Sequence, residues 1–255
     1  MVVAMTKRIG IFDQFLLATA VLTRLPVAAP ASDEGAVAAA SWAFPAVGAG
    51  IGMIAAIVLF LGSLFDLGGA SCALLALVAA GLSTGALHED GLADTADGFG
   101  GGRDRDDKLA IMHDSRQGTF GILALIFSIG LRAAALASIG SSIEGGLALI
   151  AAHAASRGAL PVVMRWLVPA RADGLGAMAG TPGPVPMLFA MALGIFIALG
   201  MLGPIRGAVA LVLMGMAVAA MAALARRQIG GYTGDVLGAL QQIGEIVMLL
   251  VAAAK

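Results

Sequence analysis

Long apolar stretches constrain what this chain can fold into more than any other feature. A helix needs about 20 apolar residues to cross the hydrocarbon core of a bilayer, and seven stretches approach or exceed that length. Only 12% of the 255 residues are charged, about half the share usual in a soluble domain. We therefore predict an all-α, polytopic membrane helix bundle of about seven transmembrane helices, at roughly 36–64, 70–87, 119–140, 145–168, 185–203, 206–225 and 236–254.

No soluble linker or internal repeat divides the chain, and we take residues 1–255 as a single membrane domain. The N-terminal apolar run is interrupted by polar residues such as Asp13 and Arg24. We read residues 8–25 as a helix in or near the membrane interface, not as a signal peptide. Pro45 and several glycines in the first span predict a kink or a re-entrant bend.

Basic residues are distributed unequally between the two sides that seven spans define. With the N-terminus in the cytoplasm, the other side holds only Arg206 and Lys255, which is a strong positive-inside asymmetry. It places the segment 88–118 in the cytoplasm. The net charge of −1 leaves no basic footprint for a nucleic acid. The cytoplasmic side holds Lys7, Arg8, Arg24, Arg103, Arg105, Lys108, Arg116, Arg165, Arg171, Arg226 and Arg227.

The passage HEDGLADTADGFGGGRDRDDK, at 88–108, is the most strongly charged part of the chain. Asp90, Asp94 and Asp97 are spaced i, i+4, i+7, which places them on one stripe of a helix. Like charges beside apolar spans repel, and a bound cation removes the conflict. Sites made only of carboxylates suit hard divalent ions, and Mg²⁺ shares such sites with water and substrate phosphates. We therefore predict that these three aspartates bind a hard divalent ion such as Mg²⁺ or Mn²⁺.

A second polar cluster, HDSRQGTFG at 113–121, follows the glycine run. Asp114 is a further candidate metal ligand, Ser115 suits a turn that contacts substrate, and the planar guanidinium of Arg116 suits a phosphate. Carboxylates, an arginine and a glycine-rich loop together indicate a diphosphate substrate. The other arginines that we consider for substrate binding are Arg103, Arg157 and Arg171.

Polar side chains also occur inside the predicted spans, where they usually face the protein interior or a cavity. For Arg132 and Arg157, a buried structural ion pair is the alternative to a functional role. The last span carries four polar residues, for which we weigh helix-to-helix hydrogen bonds against substrate contact. They are Asp235, Gln241, Gln242 and Glu245.

The two polar clusters resemble those of the cobalamin synthase family, the adenosylcobinamide-GDP ribazoletransferases. HEDGLADTADGFGGG and HDSRQGTFG carry the resemblance. It extends to LTRLP at 22–26, FPAVGAGIG at 44–52, ARADGLG at 170–176 and GGYTGDVLGALQQIGEI at 230–246. The resemblance therefore covers the chain nearly end to end.

This resemblance implies a Mg²⁺-dependent enzyme of the bacterial inner membrane that acts late in vitamin B12 assembly. It would join adenosylcobinamide-GDP to α-ribazole or to α-ribazole 5′-phosphate and release GMP, and the choice of acceptor stays open. The family permits a homodimer. In such a reaction the metal neutralises phosphate charge and arginines hold the phosphates. The candidate catalytic residues are then Asp90, Arg116 and Glu89, the last as the acceptor of a hydroxyl proton.

Three other functions are weighed against this one. CDP-alcohol phosphotransferases use the form DxxDG, which DTADG at 94–98 contains, but their later arginine and aspartates do not follow at the expected spacing. Membrane prenyltransferases normally carry two acidic motifs, and we find one. A divalent-cation transporter would place its acids near the bilayer midplane, often in repeated halves, whereas these acids lie at the end of a predicted span.

Overall fold

The computed structural model of the chain describes residues 10–30 and 35–254. Within these ranges there is no β-strand, and a single β-bridge joins Pro169 to Tyr232. The α-helices are α1 (Ile11–Leu22), α2 (Ala36–Ala40), α3 (Phe44–Leu64), α4 (Gly69–Thr84), α5 (Leu87–Gly101), α6 (Arg105–His113), α7 (Thr119–Ser138), α8 (Ser142–Trp166), α9 (Leu175–Met178), α10 (Pro184–Leu202), α11 (Pro204–Ile229) and α12 (Gly234–Ala253).

Six stretches of helix in the described part of the chain are long and apolar enough to cross a membrane. The first, Ala36–Leu64, comprises α2, a 3-10 turn at Ser41–Ala43 and α3; the others are α7, α8, α10, α11 and α12. The prediction of an all-α polytopic membrane bundle is therefore confirmed. Pro45 lies in the first turn of α3, where its fixed φ and missing N–H favour the start of a helix.

The span predicted at 70–87 is broken rather than continuous. α4 has only 16 residues, and α5 leaves it at an angle of 91°. Gly85 and Ala86 make the bend, with φ of 63° and 57°, the left-handed conformation that interrupts a right-handed helix. A Cβ at Gly85 would lie 2.6 Å from the Arg24 side chain, so glycine also makes room there. The acidic residues consequently lie on a helix of their own.

α5 begins inside the bundle and ends near one face. At its start, His88 lies 3.5 Å from Arg157, a residue in the interior of α8. Toward its end, Asp97 accepts a hydrogen bond from the backbone of Gly118, which caps the first turn of α7. The helix therefore connects the buried centre of the bundle to the loops outside it.

The loops at the two ends of the spans gather into two opposite faces. On the active face, which we define as residues 23–30, 102–118, 167–183 and 230–233, Tyr232 N–H donates to the Val168 carbonyl at 3.0 Å. On the opposite face, the Ser63 and Ser142 hydroxyls lie 3.1 Å apart. Among the described basic residues at span ends and in loops, all but Arg206 lie on or beside the active face. This arrangement agrees with the asymmetry seen in the sequence.

α8 is the central helix, and small residues let α3 pack closely against it. A Cβ at Gly48 would lie 2.2 Å from the His153 carbonyl oxygen, and one at Gly52 would lie 2.7 Å from the Ile150 Cα. Such close backbone contact is how membrane helices gain packing energy without a hydrophobic driving force.

The helix predicted at 8–25 is present as α1, whose 12 residues are too few to cross a bilayer. Ile11 and Phe12 are exposed. The Trp42 indole N–H donates to Gln14 Oε1 at 2.7 Å and ties α1 to the start of the first span. Residues 8 and 9 of the predicted helix lie outside the described residues.

Candidate active site

The acidic stripe lies on α5, as the spacing predicted. Asp90 is exposed, Asp94 is half-buried and Asp97 is buried. The helix ends at Gly101, within the glycine run, and Gly102 follows as its C-cap. Solvent exposure therefore decreases along the stripe from Asp90 to Asp97, and Asp90 and Asp94 are available to a ligand.

α12 brings Asp235 to the same place. A Cβ at Gly91 would lie 2.7 Å from the Asp235 carbonyl oxygen, and one at Gly238 would lie 3.2 Å from the Gly91 Cα. Because neither glycine has a side chain, the two helix backbones touch and Asp235 lies beside the stripe. The Thr233 hydroxyl donates to Asp235 at 3.0 Å, and Arg171 forms an ion pair with it at 3.6 Å.

Negative charge is concentrated around Asp94. Asp90, Asp235 and Asp97 each repel its carboxylate. The only hydrogen bond that a described side chain gives it is a long one of 3.5 Å from the Gln117 amide. No described residue donates a hydrogen bond to the side chain of Asp90. This arrangement favours a cation or a positively polarised ligand between the carboxylates.

The donor set fits a magnesium ion that a phosphate ligand completes. Within the described residues, no group of three or more His, Cys, Asp or Glu side chains is set to hold a metal ion by itself. Mg²⁺ in phosphate-transfer sites usually takes only one or two protein carboxylates, and water and substrate phosphates fill the remaining positions. Asp90 and Asp94, one helical turn apart, provide two carboxylates, and Asp235 lies across from them.

Asp97 has a different set of contacts from its neighbours on the stripe. One carboxylate oxygen accepts from Gly118 N–H at 2.7 Å and the other from Gly121 N–H at 2.8 Å. These are two of the backbone donors at the start of α7 that have no partner within the helix. A carboxylate at this position also interacts favourably with the helix dipole. Asp97 therefore joins the end of α5 to the beginning of α7.

Asp114 and Arg116 pair with each other on the active face. The Arg116 guanidinium donates to both Asp114 oxygens, with a shortest distance of 2.5 Å. These bonds hold the pKa of the Asp114 carboxyl at about 2, well below its usual range. Arg116 is 88% exposed, and Ser115 and Arg103 are exposed as well. Because Gln117 in the same loop reaches Asp94, the loop lies against the acidic stripe.

A buried ion-pair network occupies the centre of the bundle. Arg132 on α7 donates to Glu245 on α12 at 2.9 Å and to Glu89 on α5 at 3.4 Å. His153 on α8 lies 3.2 Å from Glu245 and 3.0 Å from Arg157. The two arginines and two glutamates balance in charge, which lets them remain buried.

Two amides extend this network between the helices. Gln241 donates to Glu245 at 2.6 Å and to the Ser156 hydroxyl at 3.1 Å. Gln242 donates to Glu89 at 3.1 Å and accepts from the Ser128 hydroxyl at 3.0 Å. The side chains of Arg157, Gln241, Gln242 and Glu245, which we considered for substrate binding, are thus engaged in hydrogen bonds within the protein. Glu89 faces this network too.

A cavity of about 240 Å³ opens beside the acidic residues. His88, Asp90, Asp235 and Arg171 form its polar part, and residues such as Phe44 and Met164 form its apolar walls. None of Arg157, Gln241, Gln242 and Glu245 lines it. The structure thus brings Asp90, Arg171 and Asp235 together from three segments that are far apart in sequence.

The sequence did not reveal two parts of the site. It predicted Asp97 as a metal ligand from the i, i+4, i+7 spacing, and that spacing cannot show that the Asp97 carboxylate accepts hydrogen bonds from the start of α7. It also left Arg132 without a partner. Two signals were available. The matching number of arginines and glutamates in apolar segments pointed to an ion pair for Arg132. The sequence GTFG at 118–121 pointed to the contact of Asp97, because its glycines leave room for a carboxylate.

Comparison with known proteins relates nearly the whole chain to one family. The sequence model of cobalamin-5-phosphate synthase matches residues 14–253. A protein of Bradyrhizobium diazoefficiens is 51% identical over 240 residues, which is 93% of this chain and 92% of the relative. One of Mesorhizobium japonicum is 46% identical over 243 residues, or 95% and 93% of the two chains. Both relatives are named adenosylcobinamide-GDP ribazoletransferase. No solved structure matches the chain.

Proposed function

The chain belongs to the cobalamin-5-phosphate synthase family, and from this premise we propose how its acidic site works. Its activity is that of an adenosylcobinamide-GDP ribazoletransferase. A ribose hydroxyl of α-ribazole, or of α-ribazole 5′-phosphate, attacks the diphosphate of adenosylcobinamide-GDP. A new P–O bond forms, the P–O bond that joins the diphosphate to GMP breaks, and GMP leaves. Neither the phosphotransferase and prenyltransferase alternatives nor the transporter alternative is favoured by a family match over residues 14–253.

The observation that supports this site is the convergence of Asp90, Asp94 and Asp235 beside Arg171. A diphosphate brings several negative charges, which these carboxylates would repel without a cation. We therefore place Mg²⁺ at Asp90 and Asp94 with Asp235 across from them; when bound, it neutralises charge on the phosphate oxygens. Arg171 is the cationic side chain at the cavity and is available to hold a phosphate oxygen that the carboxylates do not face.

The protein contributes mainly position and electrostatics, as in other phosphate transfers. The apolar walls of the 240 Å³ cavity suit the aromatic base of ribazole, whose ribose would then point toward the acids. Arg116 on the exposed loop holds the far side of the diphosphate after exchanging Asp114 for phosphate. Ser115 and Arg103 border that loop and extend the same polar surface.

The proton of an attacking hydroxyl needs an acceptor. The sequence favoured Glu89, but Arg132 and Gln242 already bind its carboxylate on the buried side of α5. Asp90 is exposed and receives no hydrogen bond from a described side chain, so we assign the proton to the Asp90 oxygen that a bound metal would leave free. Glu89 then holds α5 in place, and Asp97 does so from the other end.

Assay of the purified protein tests this proposal. We expect product and GMP from adenosylcobinamide-GDP and α-ribazole when Mg²⁺ is present, and neither after chelation. Asp94→Asn should abolish turnover while leaving membrane insertion intact. Asp173→Asn is the matched control, because Asp173 is an exposed acid on the same face. Wild-type rates for Asp94→Asn at ordinary Mg²⁺ would contradict the metal assignment.

The same proposal places the active face in the cytoplasm of a bacterium, with the spans in the inner membrane. Its support is the concentration of Lys and Arg on that face, since cytoplasmic loops carry the excess of basic residues. Both substrates would then reach the site from the compartment that contains nucleotides.

A further inference from the structure

A second and larger cavity lies between α8, α10 and α11. It is an apolar groove of about 800 Å³, and the residues that line it are distinct from those lining the acidic site. Ala155 and Gly158 of α8 form its floor, and Ile195 of α10 and Val218 of α11 form its walls. The apolar groove therefore has no part in the chemistry proposed above.

The groove exists because α10 and α11 diverge. They touch near the turn at Gly203, where a Cβ at Gly207 would lie 3.1 Å from the Ala198 carbonyl. Toward the active face, α10 is drawn to Trp42, which stacks edge-on with Phe189 at 5.7 Å. The active-face end of α11 is held by α6 instead, because Arg105 donates to the Ile229 carbonyl at 3.1 Å. The two helices are thus fixed apart at their active-face ends.

Two arginines stand at the wide end of the groove. Arg226 and Arg227 both line it and are both exposed. No described side chain forms an ion pair or hydrogen bond with either guanidinium. Trp166, 78% exposed, lies at the same end, as tryptophans commonly do at the level of lipid headgroups. An apolar groove with two unpaired cations at its mouth is complementary to an anionic amphiphile.

The length of the groove matches one leaflet of a bilayer. The α11 residues that line the groove run from Leu211 to Arg227, about 24 Å at 1.5 Å per residue, and half of a bilayer including its headgroup region is about 20–22 Å. An acyl chain lying in the groove would therefore place its phosphate beside the arginines. Basic pockets between transmembrane helices on the cytoplasmic side are known to bind anionic headgroups.

We propose that the groove between α8, α10 and α11 binds an anionic phospholipid of the active-face leaflet. Its acyl chains lie along Ile195 and Val218, and its phosphate group pairs with Arg226 and Arg227. The lipid fills the space between α10 and α11 and so completes the wall of the bundle.

Trp166 provides a direct readout. The chain has two tryptophans, so the quenching that is lost in Trp166→Phe measures Trp166 alone, and that variant leaves the contact of Trp42 with Phe189 in place. Phosphatidylglycerol and phosphatidylcholine with brominated acyl chains are each added to the wild type and to this variant in detergent micelles, and quenching of Trp166 is measured. We expect phosphatidylglycerol to quench at lower mole fractions, with a preference of about fivefold for each arginine.

Variants of the two arginines test the origin of the preference. Arg226→Gln and Arg227→Gln should each lower it by about fivefold, and the double variant should remove it. Arg206→Gln, at the other end of α11, is the matched control and should leave it unchanged. Equal quenching by the two lipids, no quenching by either, or a preference that survives the double variant would each overturn the proposal.

Discussion

Asp97→Asn distinguishes an anchoring role for Asp97 from a role in binding metal. The buried carboxylate accepts two backbone N–H groups, from Gly118 and Gly121. An asparagine amide has one oxygen to accept with, and its NH₂ group would face the other N–H. Losing one hydrogen bond to a charged group costs about 1.5–3 kcal/mol. We therefore expect the variant to be less stable by about that amount in the absence of any metal.

Asp94→Asn is the matched control, because it makes the same change three residues earlier on the same stripe of α5. Asp94 has no backbone partner and is repelled by Asp90 and Asp235. Neutralising it relieves that repulsion, so its stability without metal should equal or exceed that of the wild type. The activity of Asp94→Asn, in contrast, should be lost, since Asp94 is one of the two acids that we place at the metal.

Thermal unfolding in detergent with a chelator present measures the difference. A loss of 1.5–3 kcal/mol corresponds to a fall in Tm of roughly 3–12 °C for a domain of this size. Asp97→Asn should show that fall and Asp94→Asn should not. Any residual activity of Asp97→Asn should keep the Mg²⁺ dependence of the wild type. The anchoring role is refuted if Asp97→Asn unfolds at the wild-type temperature or if its Mg²⁺ requirement rises.

Three further predictions concern the network, the orientation and the phosphate loop. Arg132→Gln leaves Glu245 buried without its cation and should destabilise the protein by about 3–5 kcal/mol in unfolding with a denaturing detergent; a change below 1 kcal/mol would contradict the network. Cysteine at position 107, from Asp107→Cys in a Cys72→Ala background, should resist impermeant thiol reagents in intact cells, and ready labelling from outside would reverse the orientation. Arg116→Lys should insert normally but lose about 10- to 150-fold in rate, and activity within twofold of wild type would make Arg116 a simple anchor.

The sequence predicted most of the fold because apolar length is a direct consequence of bilayer thickness. Six spans lie where their apolar runs indicated. The break between α4 and α5 was missed because Ala86 adopts a left-handed conformation, which its identity gives no reason to expect. The largely apolar stretch at 70–87 has the same sequence pattern whether the helix continues straight or bends after Thr84.

The candidate site was predicted in part for a related reason. Helical spacing placed Asp90 and Asp94 on one stripe, because helix geometry alone brings residues four positions apart close together. That Asp235 joins them depends on the contact of Gly91 with Gly238, a meeting of two helices distant in sequence. Similarly, nothing local shows that Glu245 faces Arg132, so tertiary contacts decided its role.

α5 is synthesised before α6, α7 and α12, three of the helices that it contacts. During translation, membrane segments are inserted one after another according to their apolarity, and aspartates weigh heavily against insertion. Glu89 gains its partner Arg132 only when α7 has been made, and Gly91 meets Gly238 only when α12 has been made. The acidic helix therefore reaches its final contacts only after the synthesis of α12, which makes assembly of the active site a late event in biogenesis.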